Sequence, residues 1–141
     1  MEEEIFDILY HNALMGSCMY RKYAAAIVKE NTIKSVGYAK TINGEKCVDC
    51  PRLQKMHKYG EVAEFFEVCR VVHAEVSAIL NCDTRTLKNA SIYLLGISEI
   101  GKIYKNAFPC ENCIRIIQYV GISKIYVFTE RGRVECHEVK V

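Results

Sequence analysis

His73-Ala74-Glu75, answered near the far end of the chain by Pro109-Cys110-Glu111-Asn112-Cys113, decides how this sequence is read. One imidazole and two thiols are ligands of the kind zinc takes, and zinc held by three protein ligands keeps a fourth position for water. Zinc lowers the pKa of such a water to about 7. The spacing of Cys110 and Cys113 lets both thiolates face one metal from the first turn of a helix, whose N–H groups favour ionised sulfur. Glu75, two residues past His73, can share the site but is poorly placed as a fourth ligand; proton transfer suits it. A His and a distant Cys pair also co-occur by chance, and Cys-x-x-Cys alone serves structural knuckles and redox pairs. Here both halves fall at expected helix starts with a strand between them. Two helix N-termini are thereby brought together beside one sheet.

Working outward, a helix is expected from about residue 73 to 81, burying Val76, Ile79 and Leu80. Ser91-Ile92-Tyr93-Leu94-Leu95 predicts a short buried strand, followed by a loop to Phe108. A helix over about 110–120 buries Ile114, Ile117 and Val120 and stops at Gly121, a residue suited to the position after a helix end. Upstream, Val62, Phe65, Phe66 and Cys69 fall at i, i+3, i+4 and i+7, which predicts another helix from Glu61. Residues 39–60 show no period and read as a long loop, of a length usually functional or tied down.

The first fifteen residues place Ile5, Ile8, Leu9, Ala13 and Leu14 at helical spacing. Tyr23 to Val28 and Ile33 to Tyr38 read as a hairpin around Lys29-Glu30-Asn31-Thr32, its first strand apolar throughout and therefore central. After Gly121 come a strand over 124–128 and a last strand over 134–141. The link from Phe128 to Val134 is too short for a parallel crossover, so this pair is expected to be antiparallel. The fold class is α/β: a three-layer α/β/α arrangement with a five-stranded mixed sheet, residues 1–141 forming one domain.

A net charge of +2 gives no electrostatic support for nucleic-acid binding. No apolar run reaches the length of a bilayer span, and the three glutamates near the start are unlike a secretory signal. A soluble, cytoplasmic protein without a membrane partner is expected. In that compartment eight cysteines point to metal ligands or reduced thiols rather than disulfides.

Across roughly residues 5 to 128 the chain resembles the cytidine/deoxycytidylate deaminase superfamily. Its Cys18-Met19-Tyr20-Arg21 before Ala24 to Val28 looks like the opening of dCMP deaminases. Cys69-Arg70-Val71-Val72-His73-Ala74-Glu75 is similar to the approach to their catalytic helix. Pro109 to Cys113 and Gly121-Ile122-Ser123-Lys124-Ile125-Tyr126-Val127 resemble their second half. The resemblance implies a catalytic Zn²⁺ on His73, Cys110 and Cys113, with Glu75 shuttling protons in a hydrolytic deamination. The implied substrate is a cytosine-containing nucleotide or nucleoside, of the dCMP or cytidine type, and a homo-oligomer is implied as well.

The departures bear on the substrate. Ala39 follows Gly37-Tyr38 where the family usually has a substrate-contacting Asn, and Ser77 stands where many dCMP deaminases have another. The short link after Phe128 looks more like the nucleoside cytidine deaminases. Deamination of a purine base, guanine type, or of another aminated heterocycle stays open as an alternative. So does a silent zinc-stabilised module that binds nucleotides or partners, although such a module has no need of Glu75. Some relatives in this superfamily carry a second zinc, which the resemblance extends to Cys18, Cys47, Cys50 and Cys69, with His57 able to replace one thiol. The other reading makes Cys18 and Cys69 buried thiols and leaves Cys47 and Cys50 on a loop. Arg52 and Arg70, with Lys55 and Lys58, are candidates for a substrate phosphate or for an ordinary solvated face. Phe108 is a candidate to stack on the base or to join the core. Cys82 and Cys136 are expected to pack; His11 and His137 are expected at the surface.

Overall fold

The computed structural model describes residues 1–48, 50–59 and 69–140. Two antiparallel strands, β1 (Arg21–Lys29) and β2 (Thr32–Tyr38), meet at a turn in which Glu30 and Asn31 both have positive φ, 53° and 59°. That is the mirror-image turn whose twist suits a tight hairpin. β5 (Ser91–Ser98) lies antiparallel on the other side of β1, β6 (Lys124–Glu130) runs parallel to β5, and β7 (Arg133–Glu138) returns antiparallel to β6. The sheet order is β2-β1-β5-β6-β7, mixed and five-stranded as expected, with the last pair antiparallel.

β1 is buried on both faces, which is why its sequence is apolar without alternation. Ala25 and Ile27 join Leu94, Val127, Ala74, Ala78 and Ile117 in one core; Ala24, Ala26 and Val28 join Leu95, Phe128, Ile5, Phe6 and Leu9 in the other. The second core lies under α1 (Glu2–Leu14), the first under α3 (Ala74–Leu80) and α5 (Glu111–Val120). Gly121 closes α5 in the left-handed conformation, φ 88°, which glycine adopts without a Cβ penalty.

Several elements depart from the sequence reading. The span 39–60 is not all loop: β3 (Lys40–Thr41) pairs with β4 (Val71–Val72), and α2 runs Pro51–Tyr59. Pro51 stands at the first helical position, where its fixed φ and missing N–H cost nothing; the sparse apolar positions of α2 hide it from periodicity. The helix expected from Glu61 lies outside the described residues, and Cys69 is not helical. On α3 the buried residues are Ala74, Glu75, Ala78 and Ile79, while Leu80 is 76% exposed. The helix turns its small side chains to the sheet because it lies so close. On α1 the inward stripe is Ile5, Phe6, Leu9 and Ala13, and Leu14 at the last turn is exposed. A one-turn helix, α4 (Thr84–Leu87), had no periodic signal. Cys136, expected to pack, is exposed on the edge strand, and Cys82 is partly buried against the core.

Candidate metal centre and active-site cavity

β4 delivers the chain to His73, which is the residue capping α3, and Cys110 caps α5 in the same way. Both have extended backbone, with ψ of 149° and 167°, before helical geometry begins. Glu75 and Cys113 follow in the first turns of these two helices. The His73 Nδ1 lies 3.3 Å from the Cys113 Sγ and 3.7 Å from the Cys110 Sγ. A tetrahedral zinc with ordinary bond lengths would separate a ligand nitrogen and sulfur by about 3.6 Å. These three donors therefore fit zinc, and among the described residues they are the one such group within 4.8 Å of one another.

Glu75 is buried beside this group. Burial pushes its carboxyl up, opposed by its own backbone N–H, by His73 and by Cys113. Burial, then the Glu75 carboxylate and Cys110, push the Cys113 thiol up. A cation shared between them would favour the ionised form of both.

A cavity of about 460 Å³ opens onto His73, Glu75 and Cys110. Arg52 and Phe108 line it; Phe108 is 44% exposed, outside the core, with its ring 4.9 Å from and edge-on to His137. Arg70 lies at a second, smaller cavity, which is lined by Cys18, Cys47, Cys50 and Cys69 together. None of these four thiols is fully buried. The Cys47 thiol is pushed up by burial and by Cys18, Cys69 and Cys50 in turn, with Arg70 opposing. Cys18 and Cys69 line both cavities, so the thiol cluster forms part of the wall of the larger one. Lys55, Lys58 and His57 are exposed on α2 and are not among the residues that line either cavity.

Arg21, Tyr23, Tyr104 and Asn106 also line the larger cavity, and sequence reasoning missed them. The alternation of β1 could have found the first two, because they share a face with Ala25 and Ile27. Tyr104 and Asn106 sit in the loop before Pro109 and carry no periodic signal.

Residues 2–129 match the protein family described as the cytidine and deoxycytidylate deaminase zinc-binding region. The chain belongs to this deaminase family. A deoxycytidylate deaminase of Mycobacterium phage D29 is 27% identical over 127 residues, 88% of this chain and 91% of the phage protein. The crystal structure of dCMP deaminase from the cyanophage S-TIM5, in complex with dCMP and dUMP, has a TM-score of 0.55 at 16% identity, covering 89% of this chain and 79% of that one. Its apo form also has a TM-score of 0.55, at 20% identity, over 90% and 84% of the two chains. These likenesses establish the deaminase fold, and the His73, Cys110 and Cys113 group fits a zinc site of the kind the family description names. Among the described residues no helix is long and apolar enough to cross a membrane.

Proposed function

We propose that this protein is a zinc-dependent hydrolytic deaminase of a cytosine-containing nucleotide or nucleoside, dCMP foremost, releasing ammonia and the uracil form. The observation that carries this is the convergence of two helix N-termini on His73, Cys110, Cys113 and a buried Glu75 at one cavity. The phage relative named deoxycytidylate deaminase supports the choice of base and phosphate. The cavity volume falls in the ordinary range for small-molecule sites.

His73, Cys110 and Cys113 hold the metal. Zinc, when bound there, supplies Lewis acidity and an acidified water at neutral pH. Glu75 takes one proton from the attacking water and passes it to the ring nitrogen beside the amino-bearing carbon. It then takes the remaining proton of the added hydroxyl and gives it to the departing amine, which leaves as ammonia as the new carbonyl forms. Arg52 is proposed to face the substrate phosphate, and Phe108 the flat face of the base. Cys18, Cys47, Cys50 and Cys69 are proposed as a second, structural zinc set, with Arg70 beside it. One zinc per chain after careful purification would remove that second set. Residues 1–141 are proposed to act as one deaminase domain, in a cytoplasmic homo-oligomer.

The test is ammonia release from dCMP, CMP, deoxycytidine, cytosine, guanine and adenosine. Turnover of the cytosine compounds is expected. Turnover of guanine alone would replace the pyrimidine assignment with a purine one. Full zinc occupancy without turnover of any of them would favour a silent binding module.

A further inference from the structure

Arg21 and Tyr23 stand two residues apart on β1, so they leave the sheet on the side of Ala25 and Ile27, the side that α3 and α5 cover. Both line the cavity that holds Glu75. The Tyr23 ring has a defined seat. Tyr23 is opposite Gly96 in the β1–β5 register, and a Cβ at Gly96 would come within 2.5 Å of the ring. Any side chain at position 96 would displace it. Tyr104 stands 6.3 Å away, tilted by 31°. The main chain is fixed too, the Ala39 N–H donating to the Tyr23 carbonyl at 2.9 Å.

The phenol is therefore presented rather than loosely exposed. Burial raises its pKa, the Arg21 guanidinium beside it opposes that, and the Tyr104 phenol and then the Glu75 carboxylate add to the rise. Tyr23 shares its cavity with both Arg21 and the proposed proton shuttle. The same cavity wall includes Ala24, Ala39, Leu94 and Ala107, which offer no side-chain hydrogen bond, and Tyr104 and Asn106, which do. A guanidinium has donors only. A hydrogen bond from Arg21 would be accepted by the phenol oxygen, leaving its O–H for the cavity.

In a cytosine ring the amino-bearing carbon, the ring nitrogen and the ring carbonyl follow one another. A carboxylate serving that nitrogen has the carbonyl as its next neighbour. We propose that Tyr23 is a substrate-contacting specificity residue, its hydroxyl oriented by Arg21 and donating to the ring carbonyl of the base. This role rests on the cytosine assignment above. It accounts for a pocket that keeps Ala39 at a position with nothing to donate, and it disfavours rings lacking an acceptor there.

The test compares the zinc-loaded wild type with Tyr23→Phe on dCMP and on its 2-thio analogue, whose sulfur is a poor acceptor. On dCMP the variant is expected to lose about tenfold in kcat/KM, mostly through KM, with zinc content unchanged. On the 2-thio analogue the two proteins should differ by less than about threefold. Arg21→Gln should give a smaller loss of the same pattern. Equal kinetics of wild type and Tyr23→Phe on dCMP, or equal losses on both substrates, would overturn the role of Tyr23 and leave deamination standing. A wild type inert toward every cytosine compound would instead remove the assignment beneath it.

Discussion

A Cβ on Gly37 would sit 2.3 Å from the backbone nitrogen of Ala78, so β2 and α3 meet backbone to backbone. The same notional carbon would fall 2.7 Å from the Ser77 Cβ. Just along β2, the buried Ser35 hydroxyl donates to the Ala78 carbonyl at 2.7 Å. α3 is thus set against the sheet by a missing side chain and pinned by this hydrogen bond and by its cap Asn81, whose side-chain amide donates to the Val36 carbonyl at 3.1 Å. Because α3 begins at His73 and carries Glu75, this seat also fixes the candidate site. Gly37→Ala is expected to destabilise the fold by roughly 1–3 kcal/mol or more, since the opposing atoms are backbone. Zinc affinity should fall with it, because His73 would move relative to Cys110 and Cys113. Urea denaturation and metal analysis of the variant check both; an alanine variant with wild-type stability and zinc content would refute the tight seat.

Glu75 is expected to be needed for turnover and not for metal. Glu75→Ala should lose about 10²–10⁴ in kcat, the usual worth of a positioned acid–base group, while keeping its zinc. Glu75→Gln keeps the shape and loses the proton, so it should be impaired to a similar degree. Near-normal ammonia release from either variant would take Glu75 out of the mechanism. Loss of zinc from Glu75→Ala would make it a ligand instead.

In the metal-free protein Cys113 holds its proton tightly, pushed up by burial, by Glu75 and by Cys110. Thiols must ionise to bind zinc, so metal binding should release protons. Zinc titrations by calorimetry in two buffers of different ionisation enthalpy should show release of about two protons per catalytic zinc near neutral pH. Affinity should weaken as pH falls, the direction in which protons compete. Cys113→Ser should lose this zinc. A binding heat independent of buffer would contradict the two-thiol site.

Much of this was legible in the sequence, and the misses have physical causes. The metal set was readable because zinc geometry restricts both residue type and spacing, and because His73 and Cys110 each fall where a helix starts. The sheet was readable from the apolar run Ala24 to Val28 and from the link after Phe128, too short for a crossover. α2 escaped because its apolar positions, such as Leu53 and Met56, are sparse and these two are only partly buried, so no stripe marks it. The inward face of α3 was misjudged because close approach at Gly37 selects Ala74 and Ala78 over the larger Leu80. Tyr23 was missed for a related reason. An aromatic on a central strand looks like core; alternation gives its face, but the space that Gly96 leaves for its ring beside the cavity shows only in the register.

Tyr93 gives an alkaline limit that can be measured apart from the site. It is 8% exposed on β5, and its ring stacks on Tyr126 at 4.5 Å and 10°. Burial first, and then Tyr126, push its phenol up from 10.0 to about 12. Tyr126 is raised as well, by burial and then by Cys136. A group whose pKa is raised on folding binds its proton more tightly in the folded state. Its contribution is therefore complete below the unfolded value near 10 and is lost as pH climbs toward about 12. Denaturation midpoints measured between those limits should fall with rising pH, while ultraviolet absorbance shows at least one tyrosine ionising late. Tyr93→Phe removes the titrating hydroxyl and keeps the stacked ring, so its midpoint should fall less steeply over the same interval. Parallel curves for wild type and Tyr93→Phe would place the alkaline loss on other groups.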